Sequence, residues 1–228
     1  MSDRLQDASG TFDDVEAVVQ AAGTGERLGR GAKAFLVLGG RTLLERAVEA
    51  MRAIARDVMV AVPPGDVERA RELCGSSAVV VAGGATRRET LCLLMDAARA
   101  PWVVLHDVVH PFVTPGLARR VLEIARTRGA AVAAVRSTSS AYHGVAGRGT
   151  TRVAPGELWL TRKPWAFRRD AFARGLAGPG DPHEGVGGFL TRAGEEIALV
   201  PAEPWNVKIT TAEDWQLAEA IERGLRPV

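Results

Sequence analysis

Cysteine is scarce in this chain of 228 residues. Its two cysteines, Cys74 and Cys92, form no CxxC pair, so the sequence predicts neither a disulfide framework nor redox chemistry. We interpret both as small apolar residues of the protein interior, which is the usual place of a free cysteine.

Long apolar runs are also missing. No stretch approaches the roughly 18 apolar residues that indicate a membrane-spanning helix. Residues 1–14 carry several acids and no apolar run, unlike a signal peptide. We therefore expect a flexible tail over residues 1–14, no membrane partner and a cytoplasmic location.

The chain has no large excess of charge of one sign. Its formal net charge of +2 predicts no general attraction to nucleic acid or to an anionic membrane, so a few placed cations must hold any bound anion. Hydrophobic residues make up 46% and charged residues 25% of the chain, as is typical of globular proteins. The length fits one domain, which we place over residues 15–228.

Short β-rich runs alternate with longer helical segments through the first 135 residues. The predicted strands cover residues 15–20, 58–62, 78–81, 102–105 and 130–135, and the predicted helices cover 42–55, 67–73, 88–98 and 115–127. This order predicts an α/β fold with a mostly parallel sheet flanked by helices.

Unusual residues follow four of the predicted strands. They occupy positions 23–29, 83–90, 106–107 and 136–138. Ligands of such sheets bind beyond the carboxyl ends of the strands. We therefore expect these four segments to converge on one site.

The alternation stops after residue 136. Residues 137–163 are small, polar and glycine-rich, which favours a protruding dimerisation arm or, alternatively, a long surface loop. Farther along, residues 205–210 are predicted to form a last strand. Thr211 and Asp214 have the spacing of a capping box that opens a final helix to about Glu222.

The first strand leads directly into a glycine-rich loop, residues 21–29. Its glycines allow backbone N–H groups to approach a phosphate chain closely. A dinucleotide GxGxxG motif would need glycine at position 28, where Leu28 stands. It would also need an acid about 20 residues on, at the end of the second strand, and the second strand here ends much too late, near Pro63. The Walker pattern GxxxxGK[ST] also fails, because Lys33 lies between Ala32 and Ala34.

The remaining pattern is GxGxxxG, with Arg27 inside the loop and Lys33 just beyond it. Two cations beside exposed amides suit a nucleoside triphosphate, whose negative charge grows on the leaving oxygens during reaction. Arginine can bind phosphate oxygens with two N–H groups, whereas lysine acts as a point charge. A structural loop with two solvated cations is the alternative interpretation.

Five segments extend this interpretation: AAGTGERLG, KAFLVLGGRTLLE, VAGGATRRET, VVLHD and NVKITTAED. In order and spacing, from about Val15 to Ile221, they resemble the 2-C-methyl-D-erythritol 4-phosphate cytidylyltransferases. Members of that family join CTP to a sugar-alcohol phosphate and release pyrophosphate in the non-mevalonate route to isoprenoid precursors. The resemblance implies a Rossmann-like nucleotidyltransferase fold, a protruding arm exchanged in a homodimer, and Mg²⁺ as the cofactor.

The resemblance also implies roles for individual residues. Arg27, Lys33 and Lys208 would act in catalysis, and Asp107 would bind the metal. The residues implied to hold the nucleotide belong to the glycine loop and to the GGATRRET segment, and they are Ala21, Ala22, Gly23, Thr24, Gly25, Gly83, Arg87 and Thr90. Thr138 would lie toward the acceptor phosphate.

The chain departs from the family pattern on the acceptor side. His110 stands where the family motif HDAARP has arginine, and Lys163 begins the segment that replaces the family's TPQ. Residues 137–140, which read STSS, lack the acid and the cation of the family's DT pair and following lysine. We place His110 on the acceptor side, and we hypothesise that Lys163 and Arg162 restore positive charge for the acceptor phosphate.

His106 and His110 also mimic an HExxH zinc motif with aspartate in place of glutamate. A zinc site would need both histidines on one helix face. The preceding β-rich run and the following Pro111 argue against a helix here.

The sequence leaves three other interpretations of the whole chain. One is a nucleotidyltransferase of the same fold that uses another sugar-alcohol phosphate, and another is a weakly active nucleotide-binding homologue. A dehydrogenase is disfavoured, because the glycine spacing and the ribose-binding acid both fail.

Overall fold

The structure, a computed structural model, describes residues 10–23, 25, 31–178 and 184–225. Eleven strands occur within these residues. In chain order they are Phe12–Gln20 (β1), Val37–Leu38 (β2), Arg41–Thr42 (β3), Ala55–Val62 (β4), Val79–Ala82 (β5), Trp102–Asp107 (β6), Ala130–Arg136 (β7), Ala141–Val145 (β8), Arg148–Val153 (β9), Trp159–Arg168 (β10) and Ile197–Pro201 (β11).

Seven of these strands form one sheet in the order β11-β7-β10-β6-β1-β4-β5. Strand β10 runs antiparallel to both of its neighbours, β6 and β7, and the other pairs are parallel. The predicted mostly parallel sheet is therefore confirmed. Because β10 is antiparallel, its first residues lie at the edge of the sheet where β1, β4, β5, β6 and β7 end.

Seven α-helices are described: Leu43–Arg52 (α1), Val67–Cys74 (α2), Arg87–Ala97 (α3), Pro115–Arg128 (α4), Arg169–Ala177 (α5), Val186–Arg192 (α6) and Ala212–Ala220 (α7). They cover the two faces of the sheet, with α1, α2, α4 and α7 in one apolar cluster and α3, α5 and α6 in the other. Val18 and Val19 of β1 belong to different clusters, because successive side chains of a strand point to opposite faces. None of the described helices is long and apolar enough to cross a membrane.

Strand β1 begins three residues earlier than predicted. Phe12 is buried, and the guanidinium groups of Arg119 and Arg126 lie 5.2 and 4.6 Å from the centre of its ring. This packing on α4 makes residues 12–14 part of the sheet rather than of a tail. Residues 1–9 of the predicted tail lie outside the described residues.

The strand predicted at residues 205–210 is wrong. The segment crosses the carboxyl edge of the sheet instead of extending it, and its Ile209 N–H donates to the carbonyl of Val109. The capping box that follows is confirmed: Thr211 accepts from the backbone N–H of Asp214, and the Asp214 carboxylate accepts from the N–H of Thr211.

An exposed hairpin occupies the middle of the predicted arm at residues 137–163. Its strands β8 and β9 pair with each other in a sheet of their own, and nearly all of their side chains are exposed. The arm thus contains regular structure rather than being a loop throughout. Its role in dimerisation stays a prediction.

Candidate active site

A cavity of about 570 Å³ opens at the carboxyl edge of the sheet, a volume in the usual range for small-molecule sites. Three of the four predicted strand ends meet there: the glycine loop after β1, the segment after β5 and the end of β6. We call the residues that line it the cavity wall. The predicted site residues in this wall are Ala22, Gly23, Gly25, Lys33, Arg87, Thr90, Asp107 and Lys208.

Gly25 lies close to the backbone of Gly31. Its φ is +76°, and a Cβ atom at this position would lie 2.0 Å from the carbonyl oxygen of Gly31, so a larger residue would force the loop to move. Ala21 is buried beside the cavity, and its N–H donates to the carbonyl of Ala61 of β4. Thr24 and Arg27 lie outside the described residues.

The first turn of α3 forms the opposite side of the cavity wall. Thr86 caps this helix by accepting from the N–H of Glu89, and the hydroxyl of Thr90 accepts from the N–H of Gly84 at 3.1 Å. Gly83 permits close contact with the glycine loop, because a Cβ there would be 2.8 Å from that of Ala22. A helix N-terminus that opens into a cavity is a favourable place for phosphate.

Lys33 joins the glycine-loop side of the cavity to the segment near the C-terminus. Its buried ammonium group donates to the carbonyls of Ile209 and Thr210, at 3.1 and 3.2 Å. Lys208, one residue before this contact, is exposed in the cavity wall. The two predicted catalytic lysines therefore lie on one side of the cavity.

Asp107, the last residue of β6, carries the carboxylate of the site. Lys163 Nζ lies 3.3 Å from its Oδ1, and Arg87 Nη2 lies 3.5 Å from its Oδ2. Burial raises the pKa of Asp107, but the charges of Lys163 and Arg87 outweigh this effect and hold the pKa below its ordinary value. The group is an anion at neutral pH.

The antiparallel register of β10 explains the position of Lys163. Trp165 pairs with Leu105, so the same register two residues earlier places Lys163 opposite Asp107. The pairing of β10 with β7 shifts between residues 161 and 165, and the Asn206 side chain donates to the carbonyl of Lys163 at 2.7 Å. Burial lowers the pKa of the Lys163 ammonium to about 8, despite the opposing charge of Asp107.

Two buried histidines lie next to this ion pair. His106 is in β6 and His110 is in the turn that follows it, with 6.5 Å between their ring centres, so they do not share a helix. Burial lowers the pKa of His106 to about 4 and that of His110 to about 3, which makes both rings neutral at pH 7. We call His106, His110, Lys163 and Asn206 the buried cluster.

Of the residues predicted on the acceptor side, His110 and Lys163 lie together in the buried cluster, and Thr138 lies apart from them. His110 and Lys163 are buried behind Asp107 and are absent from the cavity wall. Thr138 is exposed after the end of β7. Strand β10 separates β7 from β6, which places Thr138 about two strand spacings, roughly 10 Å, from the end of β6.

Several residues of the site were not predicted, among them Gln20 and Asn206. Gln20 ends β1 in the cavity wall, and its side-chain oxygen accepts from Arg87 at 3.3 Å. Its place at a strand end beside the glycine loop was the available signal. Asn206 begins the NVKITTAED segment, but its contact could not be predicted, because its partner is a backbone carbonyl of a strand that was not predicted.

The donor set at Asp107 suits Mg²⁺ that also takes oxygens from a substrate. In the described part of the chain, no three His, Cys, Asp or Glu residues are grouped as a metal site. Mg²⁺ commonly binds through one or two carboxylates together with substrate phosphates. Asp107, which reaches the cavity wall, can supply one such carboxylate.

Comparisons with known proteins identify the family of the chain. The family model described as 2-C-methyl-D-erythritol 4-phosphate cytidylyltransferase matches residues 15–223. A protein of that name from Thermus thermophilus is 41% identical over 219 residues, covering 92% of this chain and 98% of the relative. Another from Deinococcus radiodurans is 35% identical over 211 residues, covering 90% and 88% of the two chains.

Solved structures show the same relationship. The crystal structure of the Thermus thermophilus cytidylyltransferase has a TM-score of 0.75 at 34% identity, covering 92% of this chain and 98% of that one. The 4-diphosphocytidyl-2C-methyl-D-erythritol synthase of Anaerococcus prevotii shares the fold, with a TM-score of 0.79 at 20% identity and coverages of 92% and 99%. The chain belongs to the 2-C-methyl-D-erythritol 4-phosphate cytidylyltransferase family of nucleotidyltransferases.

Proposed function

We propose that this protein transfers the cytidylyl group of CTP to 2-C-methyl-D-erythritol 4-phosphate and releases pyrophosphate. The observation that carries the proposal is the cavity wall, in which a glycine loop, a helix N-terminus, a carboxylate and lysines meet at one sheet edge. These are the groups that a nucleoside triphosphate and a metal require. The names of the relatives supply the identity of the two substrates.

The nucleotide is proposed to bind between the glycine loop and α3. Backbone N–H groups near Gly23 and Gly25 would hold the phosphates, as would Arg27 and Thr24, whose roles stay predictions from the sequence. The segment from Gly83 to Thr90 would hold the base and ribose. The close contact between Gly83 and Ala22 supports this role, because it joins the two sides of the proposed nucleotide site.

The chemistry needs no general base. A phosphate monoester has its second pKa near 6 and is mostly dianionic at pH 7, so its oxygen can attack the α-phosphorus of CTP directly. A new P–O bond forms as the bond to pyrophosphate breaks. Lys33 and Lys208 would stabilise the negative charge that develops, and positioning of the two substrates would supply the rest. Bound Mg²⁺, held by Asp107, would neutralise phosphate charge.

The acceptor side is proposed to combine residues of the cavity wall with residues of the arm. Lys208 faces the cavity, and Thr138 follows β7 at the base of the arm. A homodimer in the cytoplasm, with the arm of one protomer reaching the other, is part of the proposal. The distance of Thr138 from the end of β6 supports it, because a second protomer could bring an arm closer.

A pyrophosphate-release assay tests the proposal. CTP, UTP, GTP and ATP are each combined with Mg²⁺ and with a panel of sugar-alcohol phosphates that includes 2-C-methyl-D-erythritol 4-phosphate. We expect turnover with CTP and this acceptor alone. Turnover with CTP and another acceptor, such as a pentitol phosphate, would support the second candidate, which the burial of His110 and Lys163 favours. CTP binding without turnover would indicate a nucleotide-binding homologue.

A further inference from the structure

The two cations that flank Asp107 differ in their freedom to move. The Arg87 side chain is 50% exposed and lines the cavity, whereas the Lys163 side chain is 5% exposed and lies behind the carboxylate. Arg87 can turn toward solvent or a ligand without leaving its helix. Lys163 has no comparable path, because its neighbours Pro164 and Trp165 are also buried.

The backbone around Lys163 is fixed as well. Its carbonyl accepts the hydrogen bond from Asn206, and two residues later β10 enters regular pairing with both β6 and β7. Burial and these backbone contacts hold the ammonium group 3.3 Å from Asp107 Oδ1. Unlike the ammonium group of a surface lysine, that of Lys163 cannot turn out into water.

A fixed positive charge at this distance opposes a second cation on the same carboxylate. Between charges a few ångströms apart, the interaction is strong even at the effective dielectric constant of a protein site. Phosphate groups of a nucleotide in the cavity would offset the repulsion, since they carry negative charge of their own. Among the described residues, no group of three acids, histidines or cysteines could hold a metal ion and so offset the repulsion without a nucleotide.

We propose that Lys163 is a fixed counter-ion of Asp107, which keeps divalent metal from the nucleotide-free protein and makes metal binding depend on the nucleotide. Lys163 is in this sense a positioning residue that acts through Asp107. The dependence of metal binding on the nucleotide rests on the proposed nucleotide site. The exclusion of metal from the nucleotide-free protein does not. By linkage, the metal must then strengthen CTP binding by the same factor by which CTP strengthens metal binding.

Mn²⁺ binding to the nucleotide-free protein tests whether Lys163 opposes metal binding at Asp107. Free Mn²⁺ is measured by electron paramagnetic resonance in titrations of the full-length wild type, Lys163→Met and Lys163→Arg. We expect the methionine variant, which keeps the length of the side chain without its charge, to bind Mn²⁺ at least about tenfold more tightly than the wild type. The arginine variant keeps the charge and should bind as weakly as the wild type. Equal Mn²⁺ affinity of Lys163→Met and wild type would overturn the proposal.

The coupling between metal and nucleotide binding is measured by calorimetric CTP titrations with and without Mn²⁺, in the absence of acceptor. We expect Mn²⁺ to strengthen CTP binding to the wild type at least about tenfold, and an affinity for CTP that ignores Mn²⁺ would contradict the coupling. A protein that binds no CTP at all would refute the proposed function, whereas the nucleotide-free Mn²⁺ titrations would still decide the role of Lys163.

Thermal unfolding of each variant shows whether it folds. If Lys163→Met does not, the wild type and Asp107→Asn decide the question. Tight Mn²⁺ binding by the nucleotide-free wild type that Asp107→Asn removes would overturn the proposal. Absence of such binding in the wild type would support it.

Discussion

The two sides of Asp107 hold their polar groups in opposite ways. On the cavity side, Arg87 and Lys208 are exposed and the first turn of α3 opens toward solvent. On the other side, the buried cluster places an ammonium group and two imidazoles out of contact with water. One carboxylate therefore borders a ligand cavity and a closed polar interior at once.

Because of this difference, we expect the exposed groups to act mainly in ligand binding and the buried groups to act mainly on the charge of Asp107. Exposed groups keep their hydration until a ligand replaces it, so they can contribute to affinity and turnover with little effect on folding. Buried polar groups carry a desolvation cost that appears in the stability of the protein and in shifted pKa values. Substitutions in the cavity wall should change catalysis, and substitutions in the buried cluster should change the response to metal and to acid.

The largest expected effect comes from Lys208→Ala. Loss of an exposed cation that the proposed mechanism places at the reacting phosphates should lower kcat/KM for pyrophosphate release by about 100-fold. The free energy of unfolding should change by less than about 0.5 kcal/mol, as for most surface substitutions. Lys208→Arg, which retains the charge, is the matched control. Activity of Lys208→Ala within a factor of two of the wild type would remove Lys208 from the proposed mechanism.

Lys33→Ala should affect both catalysis and stability, because Lys33 lines the cavity and also holds the 209–210 backbone. We expect turnover to fall at least about tenfold. Unfolding in urea should show a loss of about 1–3 kcal/mol, since the carbonyls of Ile209 and Thr210 lose a donor. Lys33→Met separates the effect of charge from that of side-chain volume. Near-wild-type turnover in both variants would show that Lys33 has no catalytic role.

The buried histidines should make the stability of the protein fall in acid. Both rings are neutral at pH 7, so their titration should leave turnover at that pH unchanged. An unfolded histidine binds its proton near pH 6.5, whereas folded His106 and His110 bind theirs only near pH 4 and 3. Between these values the unfolded state holds more protons, so stability falls as the pH falls from about 6.5. Each histidine should contribute a loss of about 2 kcal/mol between pH 7 and pH 5.

Urea unfolding of the wild type and His106→Leu at both pH values measures this contribution. The leucine variant lacks the group that gains a proton on unfolding, so its loss of stability between pH 7 and pH 5 should be smaller by about 2 kcal/mol. Identical losses in the two proteins would contradict a neutral, buried His106.

The glycine loop, the α3 segment and Asp107 could be placed from the sequence because each depends on local signals. A valine-rich strand followed by Gly23 and Gly25 predicts both the turn and its position at a sheet edge. A parallel sheet then brings the strand ends together without further information. The part of the site that is proposed to face the nucleotide follows from these local signals and the order of the strands.

The environment of Lys163 could not be predicted in this way. It depends on the insertion of β10 between β6 and β7, and on a register in which Lys163 faces Asp107. Register comes from the packing of the whole strand rather than from a local motif. The same insertion separates Thr138 from the cavity, although residues 136–138 follow a strand end as predicted.

The contact of Lys33 with Ile209 also has a consequence for how the protein folds. The two residues are 176 positions apart in a chain of 228, so this contact closes most of the chain into one loop. Contacts of such high sequence separation carry a loop-closure cost and form late in folding. During synthesis Lys33 emerges early but cannot contact Ile209 until the last part of the domain has been made. The cavity should therefore be completed as one of the final events of folding, which limits ligand binding by unfinished chains.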